Sequence, residues 1–485
     1  MIKKYNKKKI YFYIIILITI LLFVFFYLYI NKTINTGYKS PLLLRLNYIF
    51  SEETKKIIKE TIFIFNYKEE LKSQINILDK RNKKIQLDFE NFQRNAEIKE
   101  ILFKKIYDDK LKTKYNNYEF KKFQTNFLIT SKNENAQSTA YLEYYNNSLF
   151  LVSASGIFSY ANIDEFKKDN IAMQTIKTNI KNFINYEDFY YDSKYGIKDV
   201  LIYDNKIFVS YSNQLTTDCY NISLVYADLN VENLIFKKFF NPDECVNKIN
   251  EYKEFNPHHS GGRIVAYKNN ELLLSIGEYS FSTLAQKNSS VFGKIVSINI
   301  DSKQYRIISM GHKNAQGLFY DKKNDVIYST DHGPQGGDEV NVQIQPDKKI
   351  VNFGWPISSY GEHYNFFKRD DNHPQYKKAP FYKSHKKYGF EEPVKVYTPG
   401  IGISEIIQFN TNDDNTELFI ASMGDTAHNG KMAIHNLILN NKFEILKEEI
   451  IALNERIRDM IYIKNLNSLF IYLETSSSIG IVKLK

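Results

Sequence analysis

Glycine and proline are missing from residues 42–155, although the chain of 485 residues contains 20 Gly and 10 Pro. These residues are the strongest breakers of regular structure, so without them no residue in this stretch forces a helix to end. Acidic side chains are missing from residues 1–50, which carry eight Lys or Arg and so a charge of +8. Cysteine is limited to Cys219 and Cys245, which allows one intramolecular disulfide at most.

The positive charge belongs to the N-terminal part of the chain. The net charge is +10, and residues 51–125 hold 18 basic and 13 acidic side chains, or +5. Residues 126–485 therefore carry −3, which is the +10 less the +8 and the +5. Because nucleic-acid-binding surfaces are basic, this larger part is not expected to bind nucleic acid.

Residues 10–30 form an apolar run of 21 residues in which Thr19 is the only clearly polar side chain. A run of this length spans a hydrocarbon core of about 30 Å. Five lysines precede it within residues 1–9, and such positive flanks stay in the cytoplasm. A cleaved signal peptide is the alternative, but the run is long for one and no small-x-small site follows it. We therefore expect a single-pass anchor in the inner (cytoplasmic) membrane, with a cytoplasmic N-terminal tail and the rest periplasmic or extracellular.

The two cysteines fit that location. In an oxidising compartment, an even pair favours a disulfide. Cys219 and Cys245 are 26 residues apart, and two unrelated buried thiols are the alternative. We expect a structural bridge.

Residues 31–125 are predicted to form a mainly helical stalk, because no breaker interrupts most of them. Within residues 71–96, apolar side chains and one Asn are spaced alternately by four and three residues, at Leu71, Ile75, Leu78, Asn82, Ile85, Phe89, Phe92 and Ala96. This spacing is typical of a coiled coil, in which a lone Asn can fix the register. The stalk could thus join two copies of the chain, or it could pack its apolar face on its own chain.

Six times the chain repeats an apolar run, a polar turn and a second apolar run. The repeats centre on Tyr145, Tyr203, Tyr267, Tyr320, Phe409 and Ile463, about 58, 64, 53, 89 and 54 residues apart. Strand pairs at such periods are typical of a β-propeller, whose units bury their faces against their neighbours. We therefore predict an all-β, six-bladed β-propeller over residues 126–485, with its chemistry in loops at one end of the central funnel.

Four segments rich in glycine and ionisable residues adjoin the repeats and are predicted to share one rim. They are HHSGGR at 258–263, GHKNAQG at 311–317, DHGPQGGDEVN at 331–341 and ERIRD at 455–459. Glycines allow the backbone to approach a ligand closely. Taken one by one, the histidines and glycine-rich turns are more often structural. The spacing of these residues alone therefore predicts only a propeller whose funnel has polar residues at its mouth.

In combination, these segments and FGWP at 353–356 resemble the glucose/sorbosone dehydrogenase family, from about Gly196 to the C-terminus. The resemblance implies a six-bladed propeller that uses pyrroloquinoline quinone (PQQ) and calcium to oxidise sugars. His259 matches the general base, which takes the anomeric proton while hydride moves to the quinone; its neighbour His258 is the less favoured choice. The carbonyls of Gly333 and Pro334 match those that hold Ca²⁺.

Five more residues match the family's cofactor contacts. Arg456 and Arg458 match arginines that hold the cofactor's carboxylates, for which a forked cation is well suited. Asn314 and Lys313 match two further contacts, and Lys431 is a weaker match for another carboxylate contact.

The sequence departs from the family pattern at three positions. Lys313 replaces an Arg, which keeps the charge but loses the planar fork. Glu278 replaces an Asp, and Lys194 replaces a Gln.

The predicted function is a membrane-anchored quinoprotein dehydrogenase that oxidises an aldose at C1 to its lactone and passes the electrons to an acceptor. A catalytically inactive propeller that binds a small ligand or a protein is the alternative that the three substitutions favour. A calcium-dependent hydrolase is less favoured, since it would need several carboxylate and Asn side chains around one ion.

Overall fold

The structure is a computed structural model. It describes residues 71–82, 99–125, 139–185, 188–189, 192–251, 254–363, 377–411, 415–424 and 431–484. The predicted anchor at 10–30 lies outside these ranges. No helix within them is both long and apolar enough to cross a bilayer.

Helical structure is limited in the described residues. The α-helix α1 spans residues 71–82 and covers the first half of the predicted coiled coil, whose remainder lies outside the described residues. Coiled-coil pairing and a homodimer therefore stay predictions. Short 3₁₀ turns span Ile163–Lys167, Ile180–Asn182, Ser193–Tyr195, Ser282–Gln286, Lys386–Tyr388 and Lys464–Leu466.

Six blades of antiparallel strands make up the rest, and the first three run as follows. Blade 1 contains β3 (Ala140–Tyr145), β4 (Ser148–Ser153), β5 (Phe158–Asn162) and β6 (Asn170–Thr178), with β1 (Glu100–Lys112) on its outer edge. Blade 2 contains β7 (Ile197–Tyr203), β8 (Lys206–Thr216), β9 (Cys219–Asp228), β11 (Lys237–Phe240) and β12 (Val246–Asn247), while β10 (Asn233–Leu234) pairs with β6. Blade 3 contains β13 (Gly261–Tyr267), β14 (Glu271–Ile276), β15 (Lys294–Asn299), β16 (Tyr305–Met310) and β20 (Val351–Asn352).

The other three blades follow the same plan. Blade 4 contains β17 (Ala315–Asp321), β18 (Val326–Asp331), β19 (Asp338–Ile344) and β21 (Lys395–Tyr397). Blade 5 contains β22 (Ile403–Thr411), β23 (Asn415–Ser422), β24 (Ala433–Asn440) and β25 (Ile445–Ala452). Blade 6 contains β26 (Ile457–Ile463), β27 (Ser468–Leu473), β28 (Ser478–Lys483) and β2 (Asn117–Thr125).

The six repeats read from the sequence are the first two strands of the six blades, so the predicted propeller is confirmed. In two of the repeats the polar turn is a pair of residues with positive φ, Asn146 and Asn147 (45° and 59°) and Asp204 and Asn205 (50° and 54°). Such pairs suit the tight turns that match the twist of a hairpin.

The ring is closed at its centre. The first strands pack on one another in order, β3 on β7, β7 on β13, β13 on β17, β17 on β22, β22 on β26, and β26 on β3. One hydrophobic cluster lies at each junction between neighbouring blades, as between blades 1 and 2 around Val152 and Val209. Each blade thus buries its two faces against its neighbours.

The prediction of helix up to residue 125 was wrong, because residues 100–125 form the hairpin β1–β2. Strand β1 pairs with β6 of blade 1, from Glu100 opposite Gln174, and β2 pairs with β28 of blade 6, from Glu119 opposite Lys483. The hairpin therefore joins the last blade to the first at their outer edges. The propeller begins near residue 100 and not at 126.

The predicted disulfide is confirmed. Cys219 and Cys245 are bonded, with their Cα atoms 5.5 Å apart. The bond ties the start of β9 to the segment that leads into β12, so its role is structural.

Candidate active site

The four segments singled out in the sequence meet on one rim of the ring. We call this the site rim; it consists of residues 192–199, 256–263, 312–316, 331–334 and 456–459, at the starts of β7, β13, β17 and β26 and the end of β18. Antiparallel pairing brings the end of a second strand to the rim where the first strand starts, which explains why residues after β18 join the others.

His259 lies just before β13 and is 9% exposed. The turn after it has φ of +65° at Gly261 and +114° at Gly262, a conformation that other residues rarely adopt. The imidazole Nδ1 lies 3.0 Å from Glu278 Oε1 and 3.1 Å from Ser280 Oγ. The ring is therefore fixed in orientation.

The opposite nitrogen of His259, Nε2, faces two donors. Lys313 Nζ lies 3.2 Å from it and Asn256 Nδ2 lies 3.4 Å from it. Nε2 is therefore the acceptor and Nδ1 carries the proton. Burial, reinforced by the Lys313 charge, lowers the pKa of His259 well below its usual value, so the ring is neutral at pH 7 and able to take a proton.

Glu278 supports His259 from behind. Its side chain is 1% exposed, and burial raises the pKa of this carboxyl to about 8. Its Oε2 is buried without a hydrogen-bond partner among the described residues. A neutral carboxyl still accepts a hydrogen bond from Nδ1–H at Oε1, so Glu278 helps to fix the His259 ring.

The adjacent His258 bonds to Asp192. Its Nε2 lies 3.1 Å from Asp192 Oδ2, and its side chain is 54% exposed. The structure thus gives the two adjacent histidines different environments, and only His259 is buried beside Lys313.

Lys313 and Asn314 are held in place by one carboxylate. Asp331 accepts both of their backbone N–H groups and also His312 Nδ1. Asn314 Oδ1 accepts from Gly261 N at 3.0 Å and Gln316 Nε2 at 2.8 Å. The Asn314 amide can therefore offer a ligand only its Nδ2 donors.

Of the two predicted calcium ligands, the Gly333 carbonyl lies beside Lys313, and its surroundings do not fit the ion. The carbonyls of Gly333 and His332 accept hydrogen bonds from Lys313 Nζ at 3.0 and 3.2 Å, and Pro334 is buried next to them. Ca²⁺ binds through oxygen atoms that face it, and here the Gly333 carbonyl oxygen already accepts a hydrogen bond from a positively charged ammonium group, which would repel the ion.

Arg456 and Arg458 both bond to Glu474, which is fully buried. Arg456 Nε donates to Oε2 at 3.1 Å and Arg458 donates twice to Oε1, at 2.9 and 2.8 Å. Arg456 also donates to the carbonyls of Met423 and Gly424. The predicted pair of arginines is therefore present on the rim. One carboxylate, that of Glu474, pairs with both positive charges.

Lys431 lies near these arginines. Its side chain packs on Gly424, where an added Cβ would come within 2.4 Å of Lys431 Cβ. Residues 425–430 lie outside the described ranges, and no contact of Lys431 with a ligand group can be assigned.

Two further lysines, Lys194 and Lys198, bring more positive charge to the rim. Burial and the neighbouring Arg458 lower the pKa of Lys194 to about 8, and burial with the Lys194 charge lowers that of Lys198 well below its usual value. Three cations, Lys194, Arg456 and Arg458, here face two carboxylates, Asp192 and Glu474, so positive charge exceeds negative charge. This part of the rim suits an anionic ligand, and a molecule with several carboxylates fits it.

Arg263, for which the sequence predicts no role, ties the blades together at the axis. Its guanidinium contacts Asp199 at 2.9 Å, Asp459 at 2.6 Å and Glu405 at 2.7 Å, and its Nε donates to the Gln316 carbonyl. Asp459 in turn accepts from Leu142 N of blade 1. All six blades thus share this axial cluster, which we define as Arg263, Asp199, Glu405 and Asp459.

The long connection between blades 4 and 5 reaches the site. The Trp355 ring lies 5.8 Å from Lys313 Nζ, and its backbone N–H donates to the Gly311 carbonyl at 3.0 Å. Phe381 packs on Trp355 and His363 stacks on Phe381, at 4.9 and 3.8 Å between ring centroids. This connection therefore forms one wall of the site beside Lys313.

Comparison with known proteins begins with the family model described as glucose / sorbosone dehydrogenase, which matches residues 166–482. An uncharacterized protein of Synechocystis is 28% identical over 229 residues, which is 42% of this chain and 50% of that protein. An aldose sugar dehydrogenase of Escherichia coli is 26% identical over 184 residues, which is 35% of this chain and 46% of that enzyme. The chain thus spans about half the length of these curated relatives.

Solved structures agree on the fold. The apo form of the soluble aldose sugar dehydrogenase from Escherichia coli has a TM-score of 0.54 at 20% identity, covering 72% of this chain and 96% of that one. The PQQ-bound aldose sugar dehydrogenase from Streptomyces coelicolor has a TM-score of 0.51 at 14% identity, covering 76% and 98%. With a family match over well more than half of the chain and a propeller that agrees with it, this protein belongs to the glucose/sorbosone dehydrogenase family.

Proposed function

We propose that the protein is a PQQ-dependent oxidoreductase that oxidises an aldose at C1 to its lactone. The observation that carries the proposal is the neutral His259, whose Nε2 is an acceptor on a rim with excess positive charge. The family's sugar dehydrogenases supply the reaction class, and the cationic rim suits the carboxylates of PQQ.

The chain's own residues would act as follows. Glu278 and Ser280 hold Nδ1 of His259, so that Nε2, which faces Lys313 in the free protein, would be in a fixed position to accept from the anomeric hydroxyl. Nε2 accepts the hydroxyl proton as the hydrogen at C1 leaves with its electron pair and the C1–O double bond forms. When bound, PQQ supplies the acceptor for that electron pair. Lys194, Arg456 and Arg458 would bind its carboxylates and fix its orientation.

The location is also a proposal. The apolar run at 10–30 would anchor the chain in the inner membrane with the propeller on the periplasmic or outer side. The Cys219–Cys245 disulfide supports an oxidising compartment. An anchored dehydrogenase would lie close to membrane electron acceptors.

The test uses the full-length protein in detergent. After addition of PQQ, an aldose should reduce an artificial electron acceptor, and the methyl glycoside of the same sugar should not, because it has no anomeric hydroxyl. Protein without PQQ is the second control. Equal rates with both sugars, or no rate with a panel of aldoses, would contradict the proposal.

A propeller that binds a ligand without turnover is the second candidate. The observation in its favour is that Lys313 bonds to Nε2 of His259, the nitrogen that the reaction needs. It predicts saturable PQQ binding with no sugar-dependent reduction of the acceptor in the same preparation.

A further inference from the structure

The Lys313 ammonium sits at the point where the base, the Gly333 loop and the wall of the site meet. It is 3% exposed. Its Nζ lies 3.2 Å from His259 Nε2, 3.0 Å from the Gly333 carbonyl and 3.2 Å from the His332 carbonyl. An ammonium has three N–H donors, and these distances match three hydrogen bonds.

The lysine suits this position in a way that arginine would not. The three N–H bonds of an ammonium diverge in three dimensions from one point charge, whereas a guanidinium presents its donors in a plane. Lys313 can therefore serve one ring nitrogen and two carbonyls of a single loop at once. Its backbone is fixed by Asp331, which accepts the Lys313 N–H at 3.2 Å.

The Gly333 loop is built around this contact. Asp338 Oδ1 accepts the Gly333 N–H at 3.0 Å and lies 3.1 Å from His332 Nδ1. An added Cβ at Gly333 would lie 2.2 Å from the Gly337 carbonyl oxygen, so the loop requires glycine there. With the loop held from behind, the carbonyls of His332 and Gly333 point at the Lys313 ammonium.

We propose that Lys313 is a built-in cation that takes the place of a divalent metal at the Gly333 carbonyl, so that the site works without calcium. The inference rests on the proposed function, since the ammonium would transfer the N–H hydrogen bond that it gives His259 Nε2 to the ligand oxygen that a metal would otherwise contact. The charge is smaller than that of Ca²⁺, but it is desolvated and fixed, and no ion has to be acquired.

The chain provides its own reporter for this claim. Trp355 is the only tryptophan, and its ring lies 5.8 Å from Lys313 Nζ. A terbium ion bound in place of the ammonium would be sensitised by Trp355 when the red edge of the tryptophan band is excited. Terbium is a suitable probe because it binds the hard oxygen ligands that Ca²⁺ uses.

The experiment compares full-length wild type, Lys313→Met and Lys313→Arg without cofactor or sugar. We expect no sensitised terbium emission from wild type or Lys313→Arg. Lys313→Met should bind terbium at least about tenfold more tightly, because a repelling charge has been removed from the carbonyls. Calcium should compete with this signal, and Trp355→Phe in the Lys313→Met background should abolish it.

Two outcomes would overturn the inference. One is sensitised emission from wild type that calcium competes away. The other is a folded Lys313→Met that gives no emission, with folding checked by its thermal unfolding midpoint and Lys313→Gln as the substitute if it does not fold. Because neither PQQ nor sugar is present, failure of the proposed oxidation would leave this result unaffected.

Discussion

The axial cluster and the site rim are both buried and charged, and they differ in how the charge is balanced. In the axial cluster, the one cation, Arg263, meets three carboxylates, and burial raises the pKa of Asp199 to about 7 and that of Glu405 well above its usual value. On the rim, positive charge is in excess, because Lys194, Arg456 and Arg458 share only two carboxylates, Asp192 and Glu474. The comparison teaches that buried charge whose partners all belong to the fold holds the ring together, whereas the surplus of positive charge on the rim is available to a ligand.

The largest expected effect concerns the axial cluster. Arg263→Met should lower the free energy of unfolding by about 3–5 kcal/mol, because it leaves buried carboxylates without their partner. The matched control is Arg306→Met, since Arg306 also pairs with two carboxylates but is 44% exposed and should lose about 1 kcal/mol or less. Denaturant unfolding measures both, and equal losses would contradict the structural role of Arg263.

On the rim, the largest effect should be on rate and not on stability. His259→Ala should lower the sugar-dependent rate by about 10²–10⁴-fold, because the proton acceptor is lost. His258→Ala is the matched control and should change the rate little, since its imidazole bonds to Asp192 outside the buried part of the site. Similar losses in both variants would show that His259 is not the base.

A smaller effect is expected from the excess charge. Lys194→Gln should weaken PQQ binding about tenfold, or by about 1.4 kcal/mol. The matched control is Lys168→Gln, since Lys168 lies on the outer part of blade 1 and its side chain is 62% exposed; this substitution should leave PQQ binding unchanged. Since the pKa of Lys194 is about 8 in the free protein, its cationic form is lost as pH rises through that value. Wild-type affinity should therefore fall above pH 8, and the fall should be smaller in Lys194→Gln.

The smallest effect is a shift in pH dependence. Burial and the Lys313 charge lower the pKa of His259, so the base stays neutral and the rate should hold well below pH 6.5. Lys313→Met removes the second-largest of these causes and should move the acid limb of the pH–rate profile to higher pH. A limb that stays in place would show that the Lys313 charge does not act on His259.

Local pattern predicted the blades but not their closure. The six strand pairs are visible because each is a hairpin whose two apolar runs are adjacent in sequence. Strand β2 pairs with β28, which lies more than 350 residues away in the sequence. No local pattern within residues 100–125 indicates a partner that distant. The absence of glycine and proline there was taken as a sign of helix, although the burial of Ile101, Phe103, Tyr118 and Phe120 follows the alternation of a strand.

The site shows the same limit. Resemblance located His259, Lys313, Asn314 and the two arginines, and the structure places them on one rim. It could not show that Arg263 joins residues from six blades, because those partners lie 64 and 196 positions away for Asp199 and Asp459. Nor could it show that Lys313 bonds to the Gly333 carbonyl, since the family pattern assigns that carbonyl to a metal.

The most direct test of the account is a titration of the full-length protein with PQQ. Binding is monitored through the fluorescence of the single tryptophan, in a buffer that contains a metal chelator. Because Trp355 lies beside Lys313, bound PQQ should quench its emission saturably and with one site per chain, after correction against free N-acetyltryptophanamide. Quenching no greater than that of the free compound would contradict the claim that the rim holds a polycarboxylate quinone.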